Sequence, residues 1–254
     1  METIRCRMAL STPLKRSLPL ALLLAGASAW AQAAPVGLQP FSGTYEVRRD
    51  DKPAGQATMR LARADAARWR IDLDIRGSRG LAGLTGLHIR QSTLFDETSG
   101  QQYRPLRQET ARSLLIGKRQ SQGVYDWNRG VARWSGDVKK SRRGREIPLQ
   151  AGDMSGLLIN LALVRDARRG ATLAYRFVDD GRARPHAYRV ATTSEPLQVD
   201  DLSYDALRVE RGEGGDRTTV WVAEGAPLPV RIRMQDEDGG SLDLSLIQYQ
   251  ETRP

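Results

Sequence analysis

Apolar and polar residues alternate with a period of two along most of this chain. Segment 69–76 is the clearest example, because its odd positions are apolar and its even positions are charged. Such alternation is typical of β-strands with one buried face. The same pattern recurs at residues 45–47, 87–89, 220–222, 230–234 and 242–246. Turn-forming clusters at 50–55 and 236–240 separate such runs and predict hairpins.

We count about twelve such strands, which predicts a mainly β protein: a curved antiparallel sheet or half-open β-barrel. One segment has helical periodicity instead, with apolar residues at Met154, Leu157, Leu158, Leu161 and Val164. Asp153 or Ser155 is suited to begin this helix, and Gly170 stops it. We expect the helix to pack on or in the concave face of the sheet, because its apolar stripe needs a partner.

The N-terminal residues have the three parts of a secretory signal peptide. A basic segment is followed by the apolar run 18–30 and by the small-residue cleavage signal Ala31-Gln32-Ala33. A membrane anchor is the alternative, but the run is shorter than the ~20 apolar residues that span a bilayer. We therefore expect residues 1–33 to be cleaved after Sec-type export, leaving 34–254 as a single periplasmic domain with no integral membrane segment.

Removal of the signal peptide changes the chemistry that is available. The formal charge falls from +9 to +6, because four basic residues and one acidic residue are lost. The only cysteine, Cys6, is lost as well, which excludes a disulfide, a thiolate nucleophile and a cysteine metal ligand. Cys6 also precedes the apolar run, so we expect no lipoprotein anchor. An exported protein of this mild charge is not expected to bind nucleic acid.

A glycine occupies every third position from Gly77 to Gly86. Leu81 and Leu84 lie within this segment, and Leu87 directly follows it. Glycines permit motion and leucines supply an apolar surface, so the segment suits a flap over an apolar cavity. Together with Leu157, Leu158 and Leu161 of the helix, these leucines are the candidate ligand-binding residues. The alternative is a loop whose leucines pack on the end of the barrel.

The densest run of charge contains Lys139, Lys140, Arg142, Arg143 and Arg145. No aromatic residues interleave for base stacking, which disfavours nucleic acid. Anionic lipid head groups or lipopolysaccharide fit an exported protein better. A solvated hairpin tip without a partner is the alternative.

Enzyme signatures are missing from the sequence. Residues 152–156 superficially resemble a nucleophile elbow, but Ser155 is one position away from the required spacing and suits a helix cap. His88 and His186 lie far apart, and neither is part of a metal-binding motif. We therefore predict no catalytic residue, metal or cofactor.

Several short features resemble the exported bacterial family called domain of unknown function 3108. They are the segment Phe41-Ser42-Gly43-Thr44-Tyr45-Glu46-Val47, the later Gly55, the helix start Asp153-x-Ser155-x-x-Leu158, and Pro229-Val230-Arg231-Ile232. The layout of such proteins is similar to that of LolA-like and LolB-like half-open β-barrels. The resemblance implies a fold and a compartment but no activity, and this chain has one convincing helix where those carriers have several.

Two hypotheses follow for function. In the first, a non-enzymatic periplasmic protein binds a hydrophobic or lipid-like ligand or a lipoprotein in cell-envelope maintenance, which predicts an apolar cavity beside the flap. In the second, an interaction protein docks a protein or anionic surface partner through a sheet edge or the basic hairpin 139–145.

Overall fold

The structure is a computed structural model, and it describes residues 37–80, 83, 86–98, 102–115, 117–199, 201–213 and 215–251. The predicted signal peptide, Leu81 and Leu84 therefore lie outside the described residues. The first eight strands are β1 (Phe41–Arg49), β2 (Lys52–Arg63), β3 (Arg68–Gly77), β4 (His88–Glu97), β5 (Tyr103–Leu114), β6 (Gly117–Asp126), β7 (Val131–Gly136) and β8 (Ile147–Pro148). The remaining elements are β9 (Asp153–Met154), α1 (Gly156–Asp166), β10 (Thr172–Asp179), β11 (Arg182–Val199), β12 (Leu202–Glu213), β13 (Asp216–Ala223), β14 (Arg231–Gln235) and β15 (Ser241–Glu251).

All fifteen described strands form one sheet, in the order β8-β7-β6-β5-β4-β3-β2-β1-β15-β14-β13-β12-β11-β10-β9. Every pairing is antiparallel except that of β9 with β10. This arrangement confirms the predicted mainly β fold with an antiparallel sheet. The sequence gives about twelve strands partly because β8 and β9 have two residues each, too few for a period of two to be recognised.

The alternation in β3 separates a buried face from a charged face, as predicted. Trp69, Ile71, Leu73 and Ile75 are all buried in the main core. Neighbouring strands add their own inward-facing residues, because side chains of paired strands in register point to the same face. Asp50 and Asp51, with φ angles of 51° and 59°, form the two-residue turn between β1 and β2.

Helix α1 packs against this core, which confirms the predicted position of the helix on the concave face of the sheet. Ser155 is the N-cap residue, and its hydroxyl accepts a hydrogen bond from Leu158 N. The Ser155 hydroxyl also lies 2.9 Å from the hydroxyl of Thr93 on β4. Leu157, Leu158 and Leu161 join the same hydrophobic cluster as the inward-facing strand residues. The helix ends at Asp166, four residues before Gly170.

The two edges of the sheet lie next to each other. We call the line along which they meet the seam, and side-chain contacts connect the strands across it. Only residues 149–152 separate β8 from β9, the two edge strands. Arg176 on β10 donates to Pro148 O of β8 at 3.2 Å and to the Asp153 carboxylate of β9 at 2.6 Å. A second, smaller hydrophobic cluster lies here and contains Tyr125, Ala132, Trp134, Val138, Ile147 and Val178. Arg176 therefore connects the two edge strands, and docking of a partner at a sheet edge stays a prediction.

Every second connection between consecutive strands lies at the same end of the sheet, because neighbouring strands run in opposite directions. The end that carries the β1–β2, β3–β4, β5–β6 and β7–β8 connections is called the hairpin end below. The β10–β11, β12–β13 and β14–β15 turns lie at this end as well, because strand direction continues to alternate from β1 through β15 to β10. The β2–β3, β4–β5 and β11–β12 connections lie at the opposite end.

Candidate functional site

The leucines predicted to bind a ligand lie in different surroundings. Leu157, Leu158 and Leu161 are buried in the main core, with at most 5% of each residue exposed. Leu87 is half-buried and directly precedes β4, and its carbonyl accepts a hydrogen bond from Gly77 N at 2.8 Å. Contact between a ligand and the helix leucines would require this core packing to open. Their role in binding stays a prediction.

The basic run lies at the hairpin end, in the connection between β7 and β8. A short 3-10 helix, Lys140–Arg142, forms part of this connection, and the buried side chain of Val138 anchors its start. Arg142 differs from the other cations of the run, because its side chain is only 13% exposed and forms an ion pair with Asp180. The β10–β11 turn also approaches Arg142 closely at Gly181. Arg142 therefore holds the β7–β8 connection against the β10–β11 turn across the seam.

The other four cations of the run, Lys139, Lys140, Arg143 and Arg145, are exposed. In the described part of the chain, none of them forms an ion pair with a carboxylate. The nearby acidic side chains have other partners. Asp137 accepts a hydrogen bond from Gln120 N at 2.7 Å, and Glu146 pairs with Arg129 at 3.3 Å and with Arg133. The four cations are thus free to meet an anionic partner.

Three more cations lie on the neighbouring β5–β6 hairpin: Arg112, Lys118 and Arg119. All three are exposed, and Arg112 lies directly opposite Arg119 in the register. Like charges at directly opposed positions repel each other. Within the described ranges, no acidic side chain forms an ion pair with any of the three. Sequence reasoning missed this group because the three residues become neighbours only when the hairpin forms.

The two groups are continuous with each other at the hairpin end. Asp137 N donates to Gln120 O at 2.8 Å, which places the start of the β7–β8 connection beside the residue that follows Arg119. We call the combined surface the basic rim, and it comprises Arg112, Lys118, Arg119, Lys139, Lys140, Arg143 and Arg145. Burial, together with the positive charges of Arg184 and Arg142, lowers the pKa of Arg182 at the start of β11.

Acidic residues at the hairpin end concentrate on the opposite part of the sheet, where basic neighbours pair with them. Arg49 lies 3.4 Å from Asp236 of the β14–β15 turn. Arg233 lies 3.3 Å from Asp51 of the β1–β2 turn. The charge of these turns is therefore partly neutralised, although Lys52 and Arg217 are exposed here and form no ion pair within the described residues.

A groove of about 330 Å³ on the outer face of β3 to β6 differs from the basic rim, because it contains both signs of charge. Arg70 pairs with Asp72 at 2.9 Å, and Asp74 lies 2.8 Å from Arg76 and 2.9 Å from His88. Ion pairs between neighbouring side chains thus neutralise much of the charge in this groove. Among the described residues, no three His, Cys, Asp or Glu side chains are grouped as a metal site would require. Nor does any helix of the described ranges have the length and apolar character needed to cross a bilayer.

The hairpin tip beside the basic rim exposes apolar residues. Leu115 is 76% exposed, and Leu114, the last residue of β5, is 38% exposed. A Cβ atom built on Gly86 would lie 3.2 Å from the side chain of Leu115, so this tip lies beside Gly86. The tip and the basic rim form one surface of mixed apolar and cationic character.

These features define a barrel-like protein built from one rolled, mostly antiparallel sheet around a buried helix. A family model described as protein of unknown function (DUF3108) matches residues 44–247. The chain belongs to this family, which confirms the resemblance that its sequence indicated.

One solved structure supports the fold. The chain is similar to a β-barrel-like protein of domain of unknown function DUF1849 from Brucella abortus, with 10% identity and a TM-score of 0.51 over 86% of this chain and 100% of that chain. A protein of the DUF1089 family from Pseudomonas aeruginosa gives 13% identity and a TM-score of 0.37 over 70% of this chain and 89% of that chain. A comparison with curated proteins found no match.

Proposed function

We propose that this protein is a non-enzymatic docking protein of the bacterial cell envelope, exported to the periplasm, which binds an anionic surface through its basic rim. The observation that carries the proposal is a set of seven exposed cations at one end of the sheet, none of which forms an ion pair within the described part of the chain. Each lysine or arginine near an anionic membrane surface contributes about 1 kcal/mol. Seven such residues therefore supply enough attraction for reversible binding at physiological ionic strength.

Docking to an anionic surface is preferred to binding of a hydrophobic ligand inside the sheet. The helix leucines already belong to the buried hydrophobic cluster that also contains Ile71 and Leu244. Opening this core would expose apolar area at about 25 cal/mol per Å². The basic rim needs no such rearrangement, since its cations already face solvent. The sequence of the first 33 residues supports export, and envelope surfaces are rich in anionic lipids and lipopolysaccharide.

Charge reversal on the rim tests the proposal. We expect the unchanged protein to co-sediment with vesicles that contain phosphatidylglycerol and not with pure phosphatidylcholine vesicles. The double variant Arg143→Glu with Arg145→Glu should bind the anionic vesicles at least about tenfold more weakly, because it replaces two cations with two anions. Binding of the unchanged protein should also weaken as salt is added.

A matched control separates local from total charge. Arg60 on β2 and Arg189 on β11 are also exposed, and both lie within strands away from the basic rim. The double variant Arg60→Glu with Arg189→Glu changes the net charge equally and should alter binding less than about twofold. Equal losses in the two double variants would contradict a specific rim. Absence of binding by the unchanged protein to the anionic vesicles would overturn the proposed function for lipid surfaces.

A further inference from the structure

We infer that the Leu114–Leu115 tip of the β5–β6 hairpin inserts into the interfacial region of a lipid bilayer, while the basic rim holds the phosphate groups. The inference rests on the proposed function, because it names the lipid bilayer as the anionic partner and gives the tip a role in binding it. The tip would act as an apolar anchor, and the cations would provide the electrostatic attraction.

The first argument is the identity of the turn residues. Leu114 pairs with Gly117 in the register, so positions 115 and 116 connect the two strands, and the sequence places Leu115 and Ile116 there. Two-residue hairpin turns favour glycine, asparagine and aspartate. Ile116 lies outside the described residues, but Leu115 is among the most exposed large apolar side chains of the described chain. The exposure of Leu115 shows that burial in the core does not explain a leucine at this position.

The second argument is the arrangement of charge around the tip. Arg112 precedes Leu114 by two residues, and Lys118 and Arg119 follow Gly117 directly. Arginine and lysine can extend along an apolar surface while their charged groups stay at the level of water and head groups. The repulsion between Arg112 and Arg119 falls when an anion lies between or beside them. Lipid phosphates would supply that anion.

A bilayer fits this combination better than a groove in a protein. The interfacial region of a membrane binds apolar side chains below a layer of negative head groups, which matches an apolar tip with a basic collar. Lys139, Lys140, Arg143 and Arg145 extend the basic area sideways from the collar at the same end of the sheet. A broad anionic plane contacts all of these cations together.

Substitution of the tip tests the inference on the same anionic vesicles. The double variant Leu114→Ser with Leu115→Ser should bind about tenfold more weakly, since it removes the apolar contribution and keeps every cation. Leu202 is a control, because it is 61% exposed and is the first residue of β12, at the opposite end of the sheet. Leu202→Ser should bind like the unchanged protein. Circular dichroism should show the same fold for all three proteins, because the altered side chains are exposed.

Direct insertion can be measured with a polarity-sensitive fluorophore on a single cysteine. The exported protein has no cysteine once Cys6 is lost with the signal peptide, so Leu115→Cys gives one labelling site and Leu202→Cys gives the control. Vesicles containing phosphatidylglycerol should shift the emission of the label at position 115 to shorter wavelength and leave that at position 202 unchanged.

The outcomes distinguish this inference from the proposed function. If rim charge reversal weakens binding while the leucine variant binds normally and the label at position 115 does not shift, the anionic docking function stands and insertion is overturned. In that case the apolar tip belongs to contact with a protein. If the unchanged protein does not bind the anionic vesicles, both fail. Loss of binding in the leucine variant together with the shift at position 115 supports insertion.

Discussion

The amide of Gln108 on β5 donates a hydrogen bond of 2.7 Å to the carboxylate of Asp179 on β10. These strands are far apart in the order of the sheet, so the bond spans the seam where the rolled sheet meets itself. The hydroxyl of Tyr125 on β6 completes the contact, because it lies 2.8 Å from Gln108 Oε1 and 2.7 Å from Val178 O. Side chains close the sheet here in place of backbone pairing.

Removal of the Tyr125 hydroxyl should weaken the seam. We expect Tyr125→Phe to lower the free energy of unfolding by about 1–3 kcal/mol, because the single hydroxyl proton shared by the buried acceptors Val178 O and Gln108 Oε1 is lost. Urea denaturation monitored by circular dichroism measures the change. The control is Tyr204→Phe on β12, since the Tyr204 hydroxyl forms no hydrogen bond within the described residues. An equal effect in both variants would contradict a specific role for the seam.

The stability of the fold should depend on the ionisation of Asp179. Burial raises the pKa of Asp179, and the hydrogen bonds from Asp180 N and Gln108 offset this only in part. The folded state therefore binds the Asp179 proton more tightly than the unfolded state does. The contribution of this group to the free energy of unfolding consequently falls as pH rises from the ordinary aspartate value through the raised pKa, and it is least favourable at neutral pH.

Asp179→Asn removes this charge but keeps a carbonyl oxygen that can accept both hydrogen bonds. We expect the variant to be more stable than the unchanged protein at pH 7 and the difference to shrink as pH falls toward 4. Urea midpoints at the two pH values measure the difference. Asp205→Asn, which alters an exposed carboxylate on β12, should show no such pH-dependent gain. A variant that is less stable at pH 7 than at pH 4, relative to the unchanged protein, would contradict the prediction.

The ion pair between Asp153 and Arg176 should contribute strongly to stability. Asp153 is fully buried, and Arg176 Nη1 lies 2.7 Å and 2.6 Å from its two carboxylate oxygens. Asp153→Ala should lower the free energy of unfolding by about 3 kcal/mol, because it leaves the guanidinium without its partner. The double variant with Arg176→Met should lose less, since neither charge then remains. Urea denaturation measures the free energy of unfolding of each variant. It shows whether the double variant loses less than the sum of the losses of the two single variants.

An exposed pair provides the control for this prediction. Arg208 lies 3.5 Å from Glu210 on the same strand, and both side chains are more than 40% exposed. Water screens such a pair, so Arg208→Ala should change the free energy of unfolding by less than about 1 kcal/mol. A loss comparable to that of Asp153→Ala would contradict the role of burial.

Much of the fold could be predicted from the sequence, because local periodicity records which face of an element is buried. The alternation at 69–76 predicts the buried face of β3, and the spacing of the leucines from Leu157 to Leu161 predicts a helix against the sheet. The two-residue strands β8 and β9 could not be predicted in this way. They exist because partners distant in the chain supply their hydrogen bonds.

The candidate site could be predicted only in part. The run from Lys139 to Arg145 is visible as a cluster of charge, but sequence alone does not separate Arg142, which pairs with Asp180, from its exposed neighbours. Arg112 and Arg119 are seven positions apart, and the register of β5 with β6 brings them face to face. The exposure of Leu115 likewise depends on its place at the turn, because a leucine in a short apolar run is more often buried.

The sequence by itself determined the class of fold, the position of the helix and the presence of a basic segment, since each depends on residues close together in the chain. The tertiary structure decided how the sheet closes, through contacts such as those of Asp153 and Gln108 with β10. It also decided which cations face solvent and which leucines are buried. These properties arise from the pairing of distant strands, because only that pairing determines which side chains exclude water from one another.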